Sequence, residues 1–153
     1  MGIAEYLKLD NIVLGIPKQS RSEVFQTLAS KLAESKLLED GQVADLVQKL
    51  EEREALSTTG VGEGIAIPHA SLDSIDDTAI ALGVVPDGVD FQSVDNKPAD
   101  VVFMIVGSQK VPRQHIQILA KIVRLCRNKE IMKTVRNSSS RDEVLEAIRM
   151  LES

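Results

Sequence analysis

Tryptophan is absent from this chain, and three Phe and one Tyr make its aromatic content 3%. A core without large rings has to be packed from Leu, Ile, Val and Ala. Nor is there a row of aromatic faces on which nucleic-acid bases could stack. Positive charge is also in short supply: 18 Lys and Arg stand against 23 Asp and Glu, for a formal net charge of −5. Nucleic acid needs a basic footprint, so it is not an expected partner, whereas an acidic surface favours encounter with a basic protein. The single cysteine, Cys126, has no mate for an internal disulfide, as expected in a reducing compartment. Two histidines and this one cysteine supply no metal-ligand cluster, and no cofactor is expected. No secretory pattern opens the chain, and no apolar run reaches the roughly 20 residues that cross a bilayer. The expectation is a cytoplasmic protein without direct membrane insertion.

What is present suits one globular unit. At 153 residues, with 43% hydrophobic and 27% charged residues, the chain can build one substantial core. It has no internal repeat and no low-complexity linker, so residues 1–153 are read as a single domain. Asn11 to Gly15 reads as a first strand. Ser20 and Glu23 form a capping-box pattern ahead of a helix carrying Val24, Leu28 and Leu32. A second helix is expected from near Asp40 to Arg53–Ala55, with Val43, Leu46, Val47 and Leu50 inward.

Ile65 to Ile67 reads as a short strand that Pro68 stops. Ile80–Val85 and Val101–Val106 are almost continuously apolar, as strands covered on both faces are. Between them Pro86-Asp87-Gly88 marks a turn, with Val89-Asp90-Phe91 a further short strand. The last third is helical. Ile116, Leu119, Ala120, Val123 and Cys126 follow helical spacing over 113–127, with Leu119, Ile122 and Val123 read as core and Cys126 as a small buried hydrophobe; a short helix over 130–136 follows. Ser140 and Glu143 cap a closing helix with Val144, Ala147, Ile148 and Leu151 inward. The fold class is α/β: a mixed parallel and antiparallel sheet flanked by helices on both faces.

The chemistry concentrates between Arg53 and Ala70. A loop of small residues, Ser57-Thr58-Thr59-Gly60-Val61-Gly62-Glu63-Gly64, feeds the strand Ile65-Ala66-Ile67, and His69 stands where that strand ends. A strand end fixes the backbone while the side chain reaches a surface crevice. The same residues admit a bland account: a lone histidine is commonly structural, and glycine loops commonly serve turns. The loop matches neither the dinucleotide nor the P-loop spacing.

This stretch resembles the phosphorylation-site signature of the fructose/mannitol-type enzyme IIA domains of the bacterial phosphoenolpyruvate-dependent phosphotransferase system. That signature runs from an acidic or amide residue through an aliphatic-small pair to aliphatic-Ala-aliphatic-Pro-His-small. Glu54, Val61, Gly62, Ile65, Ala66, Ile67, Pro68, His69 and Ala70 fill its specified places. Length and element order are also similar over nearly the whole chain, most of all to the nitrogen-regulatory members. The resemblance implies that His69 accepts a phosphoryl group, at Nε2, from a small histidine-phosphorylated carrier protein (HPr-like). It further implies that Arg53 stabilises phosphoryl charge and that His115 is a second active-site histidine.

Physical chemistry is compatible with those roles. Neutral imidazole is a nucleophile near physiological pH, and exchange of one P–N bond for another needs alignment and charge stabilisation more than covalent machinery. Guanidinium offers paired donors to phosphoryl oxygens. Ser57, Thr58 and Thr59 are candidate hydroxyl contacts, and Glu54 is read as a structural helix-end charge. Arg53 can equally be a surface partner of Glu51 or Glu52, and His115 a solvent-facing residue at a helix start. The expected function is a standalone regulatory (nitrogen-type) phosphocarrier, since no permease domain or membrane segment accompanies it. The alternatives are a sugar-transport subunit passing phosphate to a fructose/mannitol-type permease IIB domain, and a phosphorylation-independent binding module. A hydrolase using Ser57 with His69 is disfavoured because no Gly-x-Ser-x-Gly elbow is present.

Overall fold

Two strands that are apolar on both faces demand a cover on each side, and that requirement organises the molecule. The computed structural model describes residues 2–152. Its order is α1 (Ile3–Tyr6), β1 (Leu7–Val13), α2 (Arg21–Glu34), a 3-10 turn (Asp40–Gln42), α3 (Val43–Leu56), β2 (Gly60–Gly62), β3 (Ile65–Ala66) and β4 (His69–Leu72). Then follow β5 (Ala79–Val89), β6 (Ala99–Ser108), α4 (Pro112–Cys126), α5 (Lys129–Asn137) and α6 (Arg141–Glu152). The sheet runs β1-β5-β6-β3-β2, with β4 also on β6. β1 is parallel to β5, β5 antiparallel to β6, β3 and β4 parallel to β6, and β2 antiparallel to β3. The mixed sheet and its two helix layers are those expected from the sequence.

Alternation along the central pair divides the core. Ala79, Ala81 and Val85 of β5, with Val102, Met104 and Val106 of β6, pack under α2 and α3. Ile80, Leu82 and Val84, with Val101, Phe103 and Ile105, pack under α1, α4, α5 and α6. Each fully buried Leu, Ile, Val or Phe contributes about 1.5–3 kcal/mol, so these two layers supply most of the driving force. Ser20 caps α2 as expected: its hydroxyl accepts from Glu23 N at 3.2 Å, and Ser20 N donates to Glu23 Oε1 at 3.0 Å. Ser140 Oγ likewise accepts from Glu143 N at 3.3 Å, ahead of α6.

Several local expectations are corrected. β1 begins at Leu7 and ends at Val13 rather than spanning Asn11 to Gly15. Pro68 interrupts the strand that runs along β6 without ending it. It lacks an N–H but keeps its carbonyl, which accepts from Ile105 N at 3.0 Å, and β4 resumes at His69. Pro86-Asp87-Gly88 lies inside β5, where the pairing with β6 shifts between Val84 and Val89 and Gly88 takes φ +81°. Val89 therefore closes β5, and Phe91 lies beyond it, buried edge-on against Phe25 at 5.9 Å between centroids.

The α4 stripe is the expected one only in part: Ile122 and Cys126 are core as read, but Val123 is not, and Ile118 and Leu125 join them. Ile118, Ile122, Leu125 and Cys126 are buried and Leu119 packs at their margin, while Ile116, Ala120 and Val123 face outward. Both sets satisfy helical spacing, so the pattern alone does not choose. A polar clamp at the head of the helix does: Gln114 Oε1 accepts from Thr78 N at 3.1 Å and Thr78 Oγ1 at 2.7 Å, and Nε2 donates to Tyr6 Oη at 3.2 Å.

Candidate functional site

β3, Ile67-Pro68 and β4 run as one interrupted strand along β6, which places His69 opposite Ile105 and Ser71 opposite Gly107. Cross-strand partners point to the same side of a sheet. Since Ile105 belongs to the α4 side of the core, His69 and Ser71 open toward the head of α4. His115 lies one turn into that helix, on its inward arc next to Gln114, and reaches the sheet there.

The structure brings the two histidines together: their ring centroids are 5.8 Å apart and the rings are inclined by 49°. His69 is half-buried, and its Nδ1 lies 3.0 Å from the carbonyl oxygen of Ile67. A carbonyl can only accept, so Nδ1 carries the proton and Nε2 is left with its lone pair. His115 is held otherwise. Its Nδ1 is buried with no hydrogen-bond partner, and burial, then the charge of His69, pull its pKa below the usual histidine value.

Arg53 stands in the last turn of α3, a helix that packs against β4. Its Nη1 donates to the Ser57 carbonyl at 2.8 Å and approaches Ser57 Oγ at 3.4 Å; neither histidine is among its hydrogen-bond partners. The guanidinium thus occupies an element adjoining His69 while tethering the start of the glycine loop. Two of the hydroxyls considered for phosphate contact are already committed. Thr58 Oγ1 donates to Phe91 O at 2.5 Å, and Thr59 Oγ1 donates to Glu54. Glu54 is buried and also accepts from Thr59 N at 3.0 Å, so it pins the loop, as its reading as a structural charge anticipated. Ser57 Oγ lies by Arg53 instead of an imidazole, which leaves the Ser57–His69 hydrolase arrangement without a geometry.

The loop then closes as a tight hairpin. Glu63 and Gly64, at φ +56° and +80°, form the two-residue connection between β2 and β3, a primed turn that suits strand twist. Arg136 of α5 clasps it, donating to Glu63 O at 2.5 Å and to both Asp100 oxygens at 3.0 and 3.1 Å. Asp95 accepts from Glu63 N and Lys97 N, and these bonds hold its carboxyl below the ordinary range. Sequence reasoning missed Gly107, Gln114 and Arg136. The glycine had a signal, a small residue inside an apolar strand; the other two had none. Cys126 is inert here, because burial pushes its thiol up to about 12.

No group of three or more His, Cys, Asp and Glu among the described residues is arranged to hold a metal ion. No described helix is long and apolar enough to cross a membrane. Leu56, Val61, Val94 and Ile116 are large apolar side chains left exposed, on α3, β2, the loop after β5 and the head of α4.

Residues 5–150 match the family model described as "Phosphoenolpyruvate-dependent sugar phosphotransferase system, EIIA 2". The "PTS system fructose-specific EIIABC component" of Bacillus subtilis is 35% identical over 97% of this chain, which spans only 23% of that longer protein. The "Nitrogen regulatory protein homolog" of Haemophilus influenzae is 32% identical, over 94% of this chain and 88% of its own length. Among solved structures, nitrogen regulatory protein IIA-Ntr from Neisseria meningitidis superposes with a TM-score of 0.85 at 29% identity, covering 95% of this chain and 98% of that one. Enzyme IIA-Mtl from Escherichia coli, solved in complex with phosphorylated enzyme IIB-Mtl, gives 0.78 at 26% identity, covering 94% and 99%.

Proposed function

Because the chain belongs to the type 2 EIIA family of the phosphoenolpyruvate-dependent sugar phosphotransferase system, we propose that it is a histidine phosphocarrier whose acceptor atom is Nε2 of His69. The observation that carries this reading is the Nδ1–H bond from His69 to the Ile67 carbonyl. That bond fixes the ring and leaves the reactive lone pair on the outward nitrogen. The donor is a histidine-phosphorylated, HPr-like protein. Its P–N bond breaks as the new bond to His69 Nε2 forms, and the electron pair of the broken bond returns to the donor imidazole. One phosphoryl group changes ring, so the step is close to thermoneutral and reversible. Catalysis is then alignment plus compensation of charge on the equatorial oxygens.

Arg53 supplies the compensation. Its guanidinium is tethered to Ser57 at an exposed loop, and rotation about its flexible stem turns its free donors toward the incoming group. His115 supports the phosphorylated ring from the other side, across the 5.8 Å between centroids. Exposed Leu56, Val61, Val94 and Ile116 provide apolar contacts for the docking protein.

As to the downstream role, the favoured reading is a regulatory carrier of the nitrogen type. It is supported by the likeness to IIA-Ntr, at a TM-score of 0.85 against 0.78 for the mannitol domain. The second reading is delivery to a sugar permease IIB domain, favoured by the mannitol domain's complex with its phosphorylated IIB partner. The test is intact mass after incubation with phosphoenolpyruvate, enzyme I and an HPr-like protein. A gain of about 80 Da, acid-labile and abolished by His69→Ala but not by His115→Ala, is the expected result. No gain from a competent donor would replace this reading with a phosphorylation-independent binding module. Chase of the phosphoprotein with IIB domains then separates the roles: rapid discharge favours transport, persistence favours regulation.

A further inference from the structure

We propose that Gly107 is a positioning residue of this site: it is the seat on which the His115 imidazole lies, and it fixes that ring with its proton on Nε2. The inference rests on the reading of His69 as acceptor. A Cβ built on Gly107 would stand 2.1 Å from His115 Nδ1, 2.5 Å from its Cγ and 2.8 Å from its Cβ. The imidazole therefore occupies the volume that any other side chain on this residue of β6 would fill. The crowded atoms are the near, rigid part of His115, so relief requires displacing the ring or the head of α4. That helix is fixed by the Gln114 clamp to Thr78 and Tyr6.

Backbone conformation does not account for the glycine, because Gly107 is not among the residues with positive φ. Nor is it a packing glycine of the usual kind. At Gly83 of β5 an added Cβ would meet only the methyl ends of Ile16 and Leu28, at 3.0 Å and beyond, and those side chains can yield. Gly107 meets the side chain whose ring lies beside that of His69.

Tautomer follows from the same contact. Nδ1 of His115 is buried over Gly107 without an acceptor. A proton there would be an orphaned buried donor, whereas a lone pair facing the glycine Cα–H is tolerated, so the proton stays on Nε2. His69 is held in the opposite tautomer by Ile67. Two neighbouring imidazoles thus present complementary faces: His69 a lone pair that accepts the phosphoryl group, His115 an N–H that can donate to its oxygens. Burial keeps His115 neutral, which preserves this division.

The test combines a tautomer measurement with a double-mutant cycle. Nitrogen-15 NMR of the unmodified protein should give His115 the Nε2–H pattern; an Nδ1–H pattern overturns the proposal. Single-turnover transfer from phosphorylated HPr-like donor is then compared for Gly107→Ala, His115→Ala and the double variant. Gly107→Ala should slow transfer by about a hundredfold in the parent, the scale of a displaced catalytic group. In the His115→Ala background the vacated space accepts the methyl, so the same substitution should change the rate less than about twofold. Equal slowing in both backgrounds, or none in the parent, overturns the role assigned to Gly107. The double variant relieves the clash and keeps the comparison open if Gly107→Ala folds poorly. If the parent protein accepts no phosphoryl group, the acceptor reading fails. Gly107 is then judged by the tautomer and by whether Gly107→Ala moves the His115 titration, which it should raise toward the ordinary value.

Discussion

The imidazoles of His69 and His115 lie 5.8 Å apart between centroids yet are held by opposite means, one by a hydrogen bond to its own strand and one by burial against a glycine. Proximity of two like rings disfavours a second positive charge, and desolvation of His115 acts in the same direction. Both effects favour the neutral form of His115.

A pH dependence follows. The folded-state pKa of His115 lies below its reference value of 6.5, so on acidification the unfolded chain takes up this proton first. The stability associated with neutral His115 is fully present above about pH 6.5 and is lost as pH falls through the folded-state value. Urea unfolding at a series of pH values should show a decline below that point which His115→Ala flattens. Parallel curves for the two proteins would contradict it. The lowered carboxyls of Glu5, Glu23, Asp76 and Asp95 act at lower pH and are common to both.

Arg53 should matter more to rate than to folding. Loss of one positioned donor to developing charge costs about a hundred- to a thousandfold, whereas a partly exposed tether to a carbonyl is worth about 1 kcal/mol. Arg53→Ala is expected to slow phosphoryl transfer to His69 on that scale while lowering unfolding free energy by no more than about 1 kcal/mol. Arg53→Lys keeps the charge but loses the planar fork, and should recover only part of the rate. Unchanged single-turnover kinetics in both variants would confine Arg53 to holding the loop.

For Glu54 the opposite balance is expected. Its carboxylate is buried and satisfies both the N–H and the hydroxyl of Thr59. Glu54→Ala orphans those two donors, at a cost of about 2–4 kcal/mol, while Glu54→Gln keeps the shape and one acceptor and should cost about half as much. Denaturant melts check the order; a Gln variant as unstable as the Ala variant would argue against hydrogen bonding as the cause.

These contacts mark how far the sequence could be read. Ser20 and Glu23 announced the start of α2 because a capping box is local, and the apolar runs of β5 and β6 announced burial on both faces. Ile122 and Cys126 of α4 were legible as core, but the choice of Ile118 and Leu125 over Ile116, Ala120 and Val123 was not, since both sets fit helical spacing and the Gln114–Thr78 clamp that decides between them is long-range. Pro68 reads as a strand stop when only its missing N–H is counted; its carbonyl still pairs with Ile105. His69 and His115 are separated along the chain, and only resemblance placed them together. Residues whose partners are distant in sequence, such as Gly107 with His115 and Arg136 with Glu63, leave no periodic trace.

Arg136 offers a test of how the hairpin is held. It joins α5 to Glu63 O and to Asp100, while Gly64 O accepts from Asp100 N and Val101 N at 2.9 and 3.0 Å, so turn, sheet and helix meet at one point. A Cβ on Gly64 would stand 2.6 Å from Asp100 Oδ1 and 2.8 Å from Arg136 Nη2, on a backbone at φ +80°. Gly64→Ala should therefore cost about 1–3 kcal/mol, and Arg136→Ala about 1–2 kcal/mol through the lost bonds. Because part of the Gly64→Ala penalty is crowding against Arg136, the double variant should lose less than the sum. Hydrogen exchange locates the effect: amides of residues 60–66 should exchange faster in Arg136→Ala, and those of the β5–β6 pair should not. A uniform rise across the sheet would mean that Arg136 supports the whole fold and not the hairpin that leads to His69.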